Sequence, residues 1–185
     1  MTNRKSQIIQ LTIKNIQEKG YLSFSYDDLA KELGVTKASI HYHFEKKGDL
    51  GVAVCEKIQA GLEKNFLEVD QAEIKIADKP LEFILIRVQQ IGNNGVCPLS
   101  ALQADYNYLP TSMQQKVQQI SQLEINLLVR LLAGAKQEGR IQTVEDLESL
   151  AVLLISSTKG GLQYRRVLGD TFFSKVLEQF KDLLK

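Results

Sequence analysis

The sequence predicts an all-helical (all-α) protein, in which an N-terminal three-helix domain with a helix-turn-helix precedes a larger C-terminal helical domain. Apolar residues recur at helical spacing along nearly the whole chain, as they do at Ile9, Ile13 and Ile16. No alternating run of apolar and polar residues flanks an Asn-Gly or Asp-Gly turn, the usual signature of a β-hairpin. The helices can therefore be placed from their own start and stop signals.

The first two helices are marked by residues that favour helix ends. One helix should run from about Asn3 to Lys19 and stop at Gly20, because glycine readily adopts the left-handed conformation that follows many helices. Ser25 and Asp28 then form a capping box, in which each side chain satisfies a free backbone amide of the first turn. A second, short helix should therefore begin here.

A third helix follows after a few residues. Gly34 closes the second helix near Leu33, and Thr36 is a suitable N-cap for a helix over residues 37–44. Two short helices joined by a tight turn that contains glycine have the layout of a helix-turn-helix. Such a helix can enter the major groove of DNA when its first turn carries small and polar residues.

The remainder of the chain is predicted to form longer helices. Pro80 and Pro110 stand where two of them begin, because proline fits the first turn of a helix. A second capping box at residues 143–146 opens another helix, and Asp170 is expected to cap the last one. The predicted long helices cover residues 48–71, 80–91, 111–139 and 143–166, with a final helix from residue 170 onward.

The charge of the chain is unevenly distributed around a net value of +1. Residues 1–47 contain eight Lys or Arg against five Asp or Glu, a net of +3, whereas residues 48–185 contain 15 against 17, a net of −2. A basic region at one end suits a protein that meets polyanionic DNA there, and a solvated basic face is the alternative. We therefore predict a helix-turn-helix domain of residues 1–47, followed by a helical domain of residues 48–185.

Several other classes of protein are disfavoured. Cys55 and Cys97 lack CxxC spacing, so the sequence predicts neither a zinc site nor a disulfide framework. No apolar run approaches the roughly 18 residues of a membrane helix, and the start of the chain lacks a signal-peptide pattern, so we expect a cytoplasmic protein with no membrane partner. The HExxH, GxxxxGK and GxSxG patterns are absent. We therefore predict no enzyme and no cofactor.

Residues 29–44, with the sequence LAKELGVTKASIHYHF, together with Lys47 and the pair Asp49-Leu50, resemble the signature of the TetR family of transcriptional regulators. The resemblance covers roughly residues 3 to 55 well. Beyond that it is looser, resting on the number of helices and on the segment GVCPL at residues 95–99, which is similar to a turn in one branch of the family. The resemblance implies a bacterial repressor that binds a palindromic operator in double-stranded DNA as a homodimer.

The resemblance also implies which residues meet DNA. Those nearest to bases or adjacent phosphates would be Thr36, Lys37, Ala38 and Ser39, and the other expected contacts, mainly to the backbone, are Ser25, Tyr26, His41, Tyr42, His43 and Lys47. The family's usual phosphate-binding tyrosine falls at His41, with Tyr42 next to it, and the sequence leaves open which of the two takes this role. His43 is alternatively a half-buried structural residue. His41 and His43 point about 200° apart on a helix and predict no shared metal ion.

The last two predicted helices have wide apolar stripes, which favour a four-helix interface between two copies of the chain. The TetR resemblance implies the same pairing. The predicted interface residues are Leu147, Leu150, Leu154, Gly161, Leu162, Phe173, Val176, Leu177 and Phe180. The alternative is that these stripes face the protein's own core.

The resemblance further implies a mostly apolar pocket for a small-molecule effector between the DNA-binding helices and the dimer helices. The predicted pocket residues are Phe66, Ile84, Val88, Cys97, Leu102, Gln103, Tyr106, Leu123 and Leu127. A solid core without a ligand would have the same sequence pattern. An interaction protein that has kept the fold and lost specific DNA binding is the alternative function.

Overall fold

The computed structural model describes residues 3–92, 95–141 and 145–184. Every regular element in these ranges is a helix, which confirms the all-helical prediction. Among the described helices, none combines the length and the apolar character that crossing a bilayer requires.

The first three helices begin and end where the sequence predicts. They are α1 (Arg4–Lys19), α2 (Tyr26–Leu33) and α3 (Lys37–His43). The capping box at the start of α2 is present, and Gly34 ends that helix with φ 64° and ψ 36°, in the left-handed region. The Thr36 side chain accepts a hydrogen bond from the Ser39 amide at 3.2 Å, which caps α3. Local capping chemistry therefore fixes the helix-turn-helix.

The later α-helices of the described chain range from 7 to 27 residues. They are α4 (Lys47–Gln71), α5 (Lys79–Gln89), α6 (Pro98–Ala104), α7 (Thr111–Gln137), α8 (Leu147–Leu168) and α9 (Asp170–Leu183). Short 3-10 helices occupy Ile76–Asp78 and Tyr106–Tyr108. Helix α6 and the 3-10 helices were not predicted, because segments of three to seven residues are too short to show a helical period.

The starts of α8 and α9 can be compared with the predicted N-caps. Asp170 is the first residue of α9 and makes no capping hydrogen bond, because Gly169, with φ 84°, occupies the N-cap position. The cap predicted for α8 began at Thr143, which with residues 142 and 144 lies outside the described residues. In the structure Asp146 caps α8, accepting hydrogen bonds from the amides of Glu148 and Ser149 at 3.0 and 3.1 Å.

The chain forms two compact units. The first unit comprises residues 1–60 and 98–120, and the second unit comprises residues 61–97 and 121–185. The first unit is larger than the predicted domain of residues 1–47, because α6 and the start of α7 belong to it. Helices α4 and α7 each contribute residues to both units.

The first unit has a continuous apolar core to which α1, α2, α3 and α4 all contribute. Its fully buried side chains include Ile8, Ile16, Leu29, Ile40 and Leu50. The Asp105 carboxylate, just after α6, accepts a hydrogen bond from the Tyr21 amide at 2.8 Å. This contact ties the loop after α1 to α6 within the unit.

The second unit packs α8 closely against α9. A methyl group added at Gly161 would lie 2.9 Å from a ring carbon of Phe173, so glycine is what permits this approach. Phe83 on α5 is fully buried and meets the Phe66 ring edge-on, with the ring centroids 6.2 Å apart. The buried Asn65 forms a pair of hydrogen bonds with Gln90, at 3.3 and 3.1 Å. Other residues of α5 and α8 line the cavity described below.

Candidate nucleic-acid interface and ligand cavity

Helix α3 is anchored on one side and presents its other side to solvent. Ile40 is fully buried, and the buried Phe44 directly follows the helix. The residues Thr36, Lys37, Ala38, His41 and Tyr42 are exposed, and Ser39 and His43 are half-buried. The structure thus gathers the residues predicted nearest to bases at the exposed start of α3.

Lys37 makes the main ionic contact on this surface. Its ammonium lies 2.7 Å from the Asp27 carboxylate on α2, and the two side chains are 53% and 67% exposed. Water and salt screen a pair with this exposure, so its net attraction is small. A phosphate can therefore replace Asp27 as the partner of Lys37.

Tyr26, one of the predicted DNA contacts, lies in the interior of the first unit. Its side chain is 7% exposed, and its hydroxyl donates a hydrogen bond to the Phe44 carbonyl oxygen at 3.0 Å. Burial, with a smaller effect of the Asp49 carboxylate, raises the pKa of Tyr26 to about 12. This hydroxyl therefore fixes the end of α3 to the start of α2.

The two neighbouring residues at the family's tyrosine position have different surroundings. The His41 ring packs edge-on against Tyr26 at 4.8 Å, and its Nδ1 lies 3.2 Å from the Glu45 carbonyl oxygen. Tyr42 is 86% exposed and contacts only the His43 ring among the aromatic groups of the described chain, at 5.1 Å. Of the two side chains, Tyr42 offers the more accessible hydrogen-bonding group.

Lys47 is used inside the first unit. Its ammonium donates hydrogen bonds to the carbonyl oxygens of Tyr21 and Phe24, at 2.8 and 2.6 Å. It also lies over both aromatic rings, 4.7 and 4.2 Å from their centroids. Burial lowers the pKa of Lys47, against the raising effect of nearby Asp105 and Asp28. Lys47 therefore holds the loop before α2 against the start of α4.

Ser25 likewise has a structural partner. Its hydroxyl donates to the Asp28 carboxylate at 2.7 Å, and its own amide donates to the same carboxylate at 2.7 Å. These bonds lower the pKa of Asp28. Ser25 is exposed at the start of α2, so its backbone lies at the surface while its side chain is committed to the capping box.

The second unit contains a small cavity of about 30 Å³. Its lining comprises Ile84, Arg87, Val88, Ile91, Cys97, Glu124, Ile155, Thr158, Lys159 and Leu162. Three predicted pocket residues, Ile84, Val88 and Cys97, are in this lining. The other predicted residues do not line it: Phe66, Leu123 and Leu127 lie elsewhere in the second unit, and Leu102, Gln103 and Tyr106 belong to the first unit.

Arg87, Glu124 and Lys159 form a charged triad in this cavity. The Glu124 side chain is 2% exposed, and its two carboxylate oxygens contact the Arg87 guanidinium and, at 2.5 Å, the Lys159 ammonium. Burial alone would raise the pKa of Glu124, but the two cations outweigh it and hold this pKa below its ordinary value. The triad therefore combines a carboxylate whose charged form is favoured with two basic side chains.

The triad was not among the predicted site residues, although the sequence contains a signal for it. Arg87 follows Phe83 and Ile84 at helical spacing, and Glu124 precedes Leu127 and Leu128 in the same way. A charged residue at a buried position of an apolar stripe is rare unless it is paired. Two such residues on separate helices thus indicate an internal ionic contact.

The α8–α9 pair differs from the predicted dimer surface. Six of the predicted interface residues are buried within the chain itself: Leu150, Leu154, Gly161, Leu162, Phe173 and Phe180. Leu147, Val176 and Leu177 are half-buried. The stripes mainly face the second unit's own core, because α8 and α9 pack against each other along them. These six side chains therefore contribute to the core of their own unit, and their place in a dimer interface stays a prediction.

Other apolar residues of this pair face outward. Val167 is 81% exposed, and Val152, Leu153, Leu168 and Leu183 are each more than 40% exposed. An open groove of about 330 Å³ is lined by Leu153, Ser157, Phe172, Lys175, Val176, Gln179, Phe180 and Leu183. The lining of the groove therefore includes the predicted Val176 and Phe180, but most of the exposed apolar residues lie outside the predicted set.

Within the described ranges, no group of three or more His, Cys, Asp and Glu side chains is arranged to hold a metal ion. His41 and His43, both on α3, are accordingly not part of such a group. The Cys55 and Cys97 thiols are both free and buried, and burial raises the pKa of Cys55 to about 11. The charged and aromatic side chains described above are thus the main functional candidates.

Known proteins resemble this chain along its whole length. A family model for bacterial regulatory proteins of the tetR family matches residues 8–54, and one for the tetracyclin repressor-like C-terminal domain matches residues 83–179. The crystal structure of a TetR transcriptional regulator from Legionella pneumophila is 28% identical, with a TM-score of 0.90, and the match covers 100% of this chain and 99% of that one. A TetR-family regulator from Agrobacterium tumefaciens, 22% identical over 96% of this chain and 95% of its own, shares the fold with a TM-score of 0.89.

Curated relatives match over shorter segments. The fatty acid metabolism regulator protein of Bacillus subtilis is 25% identical over 139 residues, which are 74% of this chain and 70% of the relative. The uncharacterized HTH-type transcriptional regulator YerO of Bacillus subtilis is 29% identical over 92 residues, 50% of this chain and 30% of its own. IcaR, the negative transcriptional regulator of the biofilm operon icaADBC in Staphylococcus aureus, is 44% identical over 43 residues, 23% of each chain.

These matches agree with the geometry of both units. The helix-turn-helix with its exposed α3 lies within the N-terminal match, and the cavity lies within the C-terminal match. The C-terminal match alone spans more than half of the chain. The chain therefore belongs to the TetR family of bacterial transcriptional regulators, and it is a regulator and not an enzyme.

Proposed function

We propose that this protein is a cytoplasmic repressor that binds a palindromic operator as a homodimer and leaves it when a small, mostly apolar effector binds. The observation that carries the proposal is the exposed first turn of α3, which presents Thr36, Lys37 and Ala38 from a capped helix. Small and polar side chains in that position can reach base edges in the major groove. Repression as the direction of control is supported by the relative IcaR, which is a negative regulator.

The DNA contacts are divided by the surroundings of each side chain. Residues 36–39 are proposed to meet bases or adjacent phosphates. Tyr42 is proposed to bind a phosphate, because its side chain is 86% exposed, whereas His41 is held between Tyr26 and the Glu45 carbonyl. We propose that residues 1–47 bind DNA and that residues 48–185 bind the effector and form the dimer.

The remaining predicted contacts support the DNA-binding surface from behind. Lys47 and Ser25 have their polar groups committed to partners within the first unit. His43 is half-buried beside Tyr42, so it orients that ring at the surface. These three residues are proposed to position the contacts that Lys37 and Tyr42 make.

A second copy of the chain is the proposed partner of the α8–α9 surface. Exposed apolar side chains along both helices favour burial against a like surface, because contiguous exposed apolar patches commonly mark interfaces. The groove that Leu153, Phe172 and Leu183 line gives this surface a concave part. A dimer places two reading helices roughly 34 Å apart on DNA and so doubles the contacts with a palindrome.

The cavity of the second unit is the proposed effector site. Its volume of about 30 Å³ holds one or two water molecules, so an effector would bind a more open form of the unit. Binding would then shift the population of dimers away from the form that fits the operator. Glu124, in the lining, lies on α7, a helix that also contributes residues to the first unit.

Fluorescence anisotropy tests the DNA-binding part of the proposal. The protein is titrated into labelled duplexes from the region upstream of its own gene at two salt concentrations. We expect binding that weakens with salt and that Lys37→Ala and Tyr42→Phe each reduce, because both remove a phosphate partner. Lys64→Ala is the matched control, since Lys64 is an exposed lysine of the second unit.

Two outcomes would contradict the proposal. One is a protein whose affinity for every upstream duplex equals that for random DNA and for which genome-wide selection recovers no bound site. This outcome favours an interaction protein that has lost specific DNA binding. The other is a protein that analytical ultracentrifugation shows to be a monomer at the concentrations where it binds DNA. That result would contradict the proposed homodimer.

A further inference from the structure

The charge of the cavity in the second unit indicates the chemistry of its ligand. Within the charged triad, Arg87 and Lys159 both contact the single Glu124 carboxylate. The other described lining residues are apolar or neutral: Ile84, Val88, Ile91, Cys97, Ile155, Thr158 and Leu162. The lining therefore carries one positive charge more than its own carboxylate balances.

A third cation lies next to the same cavity. Arg165 on α8 is 9% exposed, and its Nη2 donates to the carbonyl oxygens of Ile91 and Gly92 at 3.3 and 3.0 Å. Ile91 is itself a lining residue. The buried Nε of Arg165 has no hydrogen-bond partner among the described residues. Carbonyl dipoles solvate the guanidinium but do not cancel its charge, so Arg165 increases the positive potential near Ile91.

Such an excess of positive charge favours an anion. Charge in a weakly polarisable interior is costly unless an opposite charge accompanies it. The Arg87 guanidinium has five N–H donors, and its contact with Glu124 is made through Nη2. Its planar fork suits a second carboxylate, which such groups bind with charge-assisted hydrogen bonds. The apolar remainder of the lining suits an apolar body.

We propose that the effector of this regulator is an apolar carboxylate, whose anionic head binds Arg87 and Lys159 beside Glu124. The inference rests on the proposed function in calling this molecule an effector. The ligand occupies a more open form of the cavity than the present one, which holds only one or two waters. In that form its carboxylate balances the excess charge of the triad, and its body replaces contacts among α5, α7 and α8.

Isothermal titration calorimetry on the full-length protein tests the ligand class. The probes are hexanoate and 4-phenylbutyrate, each compared with its uncharged amide of nearly the same size. We expect each acid to bind at least about tenfold more tightly than its amide, because only the acid supplies the compensating charge. Equal affinity of acid and amide overturns the proposal, as does the absence of acid binding at millimolar concentration.

Variants of the triad sharpen the test. Lys159→Met leaves Arg87 and Glu124 as a neutral pair and should weaken acid binding about tenfold while amide binding stays unchanged. Glu124→Gln leaves two cations and should strengthen acid binding. Lys64→Met removes an exposed lysine of α4 and serves as the control. Unchanged acid affinity in folded Lys159→Met contradicts the assignment, and the comparison of acid with amide on the unaltered protein stands if that variant does not fold.

The DNA assay separates this inference from the proposed function. If the acids do not bind while the protein still binds its upstream duplex, the ligand class is wrong and the proposed function stands. If the protein binds acids but no duplex, the carboxylate site stands and the DNA-binding function fails. If acids bind and also release the duplex, both proposals are supported.

Discussion

Ionic contacts of similar length have different surroundings in the two compact units. In the first unit, Lys37 lies 2.7 Å from Asp27, and both side chains are more than half exposed. In the second, Lys159 lies 2.5 Å from Glu124, whose side chain is 2% exposed. Solvent weakens the first contact and leaves it exchangeable, whereas the loss of the second would strand buried charges. Distance alone therefore does not distinguish a contact available to DNA from one that organises a cavity.

The largest expected effect is on the buried contact. Glu124→Ala leaves Arg87 and Lys159 without their shared carboxylate and should lower the free energy of unfolding by about 3 to 5 kcal/mol. Equilibrium unfolding in urea measures the loss. The control is Glu68→Ala, which removes an exposed partner lying 3.7 Å from Lys64 and should cost less than about 0.5 kcal/mol. Equal losses in the two variants would show that burial does not govern these contacts.

Acid should weaken the same contact by a smaller amount, because a protonated Glu124 still fills its place. The pKa of Glu124 is lowered in the folded state, so its stabilisation is present above the ordinary value of 4.5 and is lost as the pH falls through the lower, folded value. Urea unfolding at a series of pH values, compared with Glu124→Gln, isolates this titration. We expect the stability difference between the two proteins to shrink as the pH falls below 4.5. A constant difference would contradict the assigned ionisation.

The contrast between the units also explains what the sequence could predict. Capping residues such as Ser25, Thr36 and Gly34 act on backbone groups a few positions away, so the bounds of α1, α2 and α3 follow from local chemistry. The exposed residues at the start of α3 follow from the period of the helix once Ile40 is assigned to the core. Within that segment, the burial of Tyr26 was not predicted, because its hydroxyl bonds to Phe44, 18 positions away.

The cavity depends on contacts between residues far apart in the chain. Glu124 meets Arg87 and Lys159 across 37 and 35 positions, and periodicity contains no information on which helices pair. The same limit applies to α8 and α9, where the period identified the apolar stripe but not the surface it packs against. Leu154 and Phe180 are buried within the chain for this reason, and the exposed apolar face falls on other residues such as Val167.

Tyr26 and Tyr42 in the first unit carry the same hydroxyl group, one buried and the other exposed. Tyr26→Phe removes the hydrogen bond to the Phe44 carbonyl and should cost about 1 kcal/mol of stability without changing the DNA affinity of the folded protein. Tyr42→Phe should leave stability within about 0.5 kcal/mol and weaken DNA binding. Urea unfolding and fluorescence anisotropy measure the two quantities on each variant. The reverse pattern would place Tyr26, and not Tyr42, at the DNA.

The smallest expected effect concerns the exposed pair on the proposed DNA-binding surface. Asp27→Asn releases Lys37 and removes a negative charge, so it should raise affinity for the upstream duplex a few-fold, about 0.5 to 1 kcal/mol, with stability almost unchanged. Anisotropy titrations at two salt concentrations measure the gain. Glu45→Gln is the control, because it neutralises an exposed acid of the same unit whose carboxylate pairs with no lysine among the described residues. A gain in Asp27→Asn that exceeds the control, and that Lys37→Ala abolishes, would show that Asp27 limits DNA affinity by competing with phosphate for Lys37. Equal gains in both variants would show that the affinity for DNA rises only because the net charge of the protein becomes more positive.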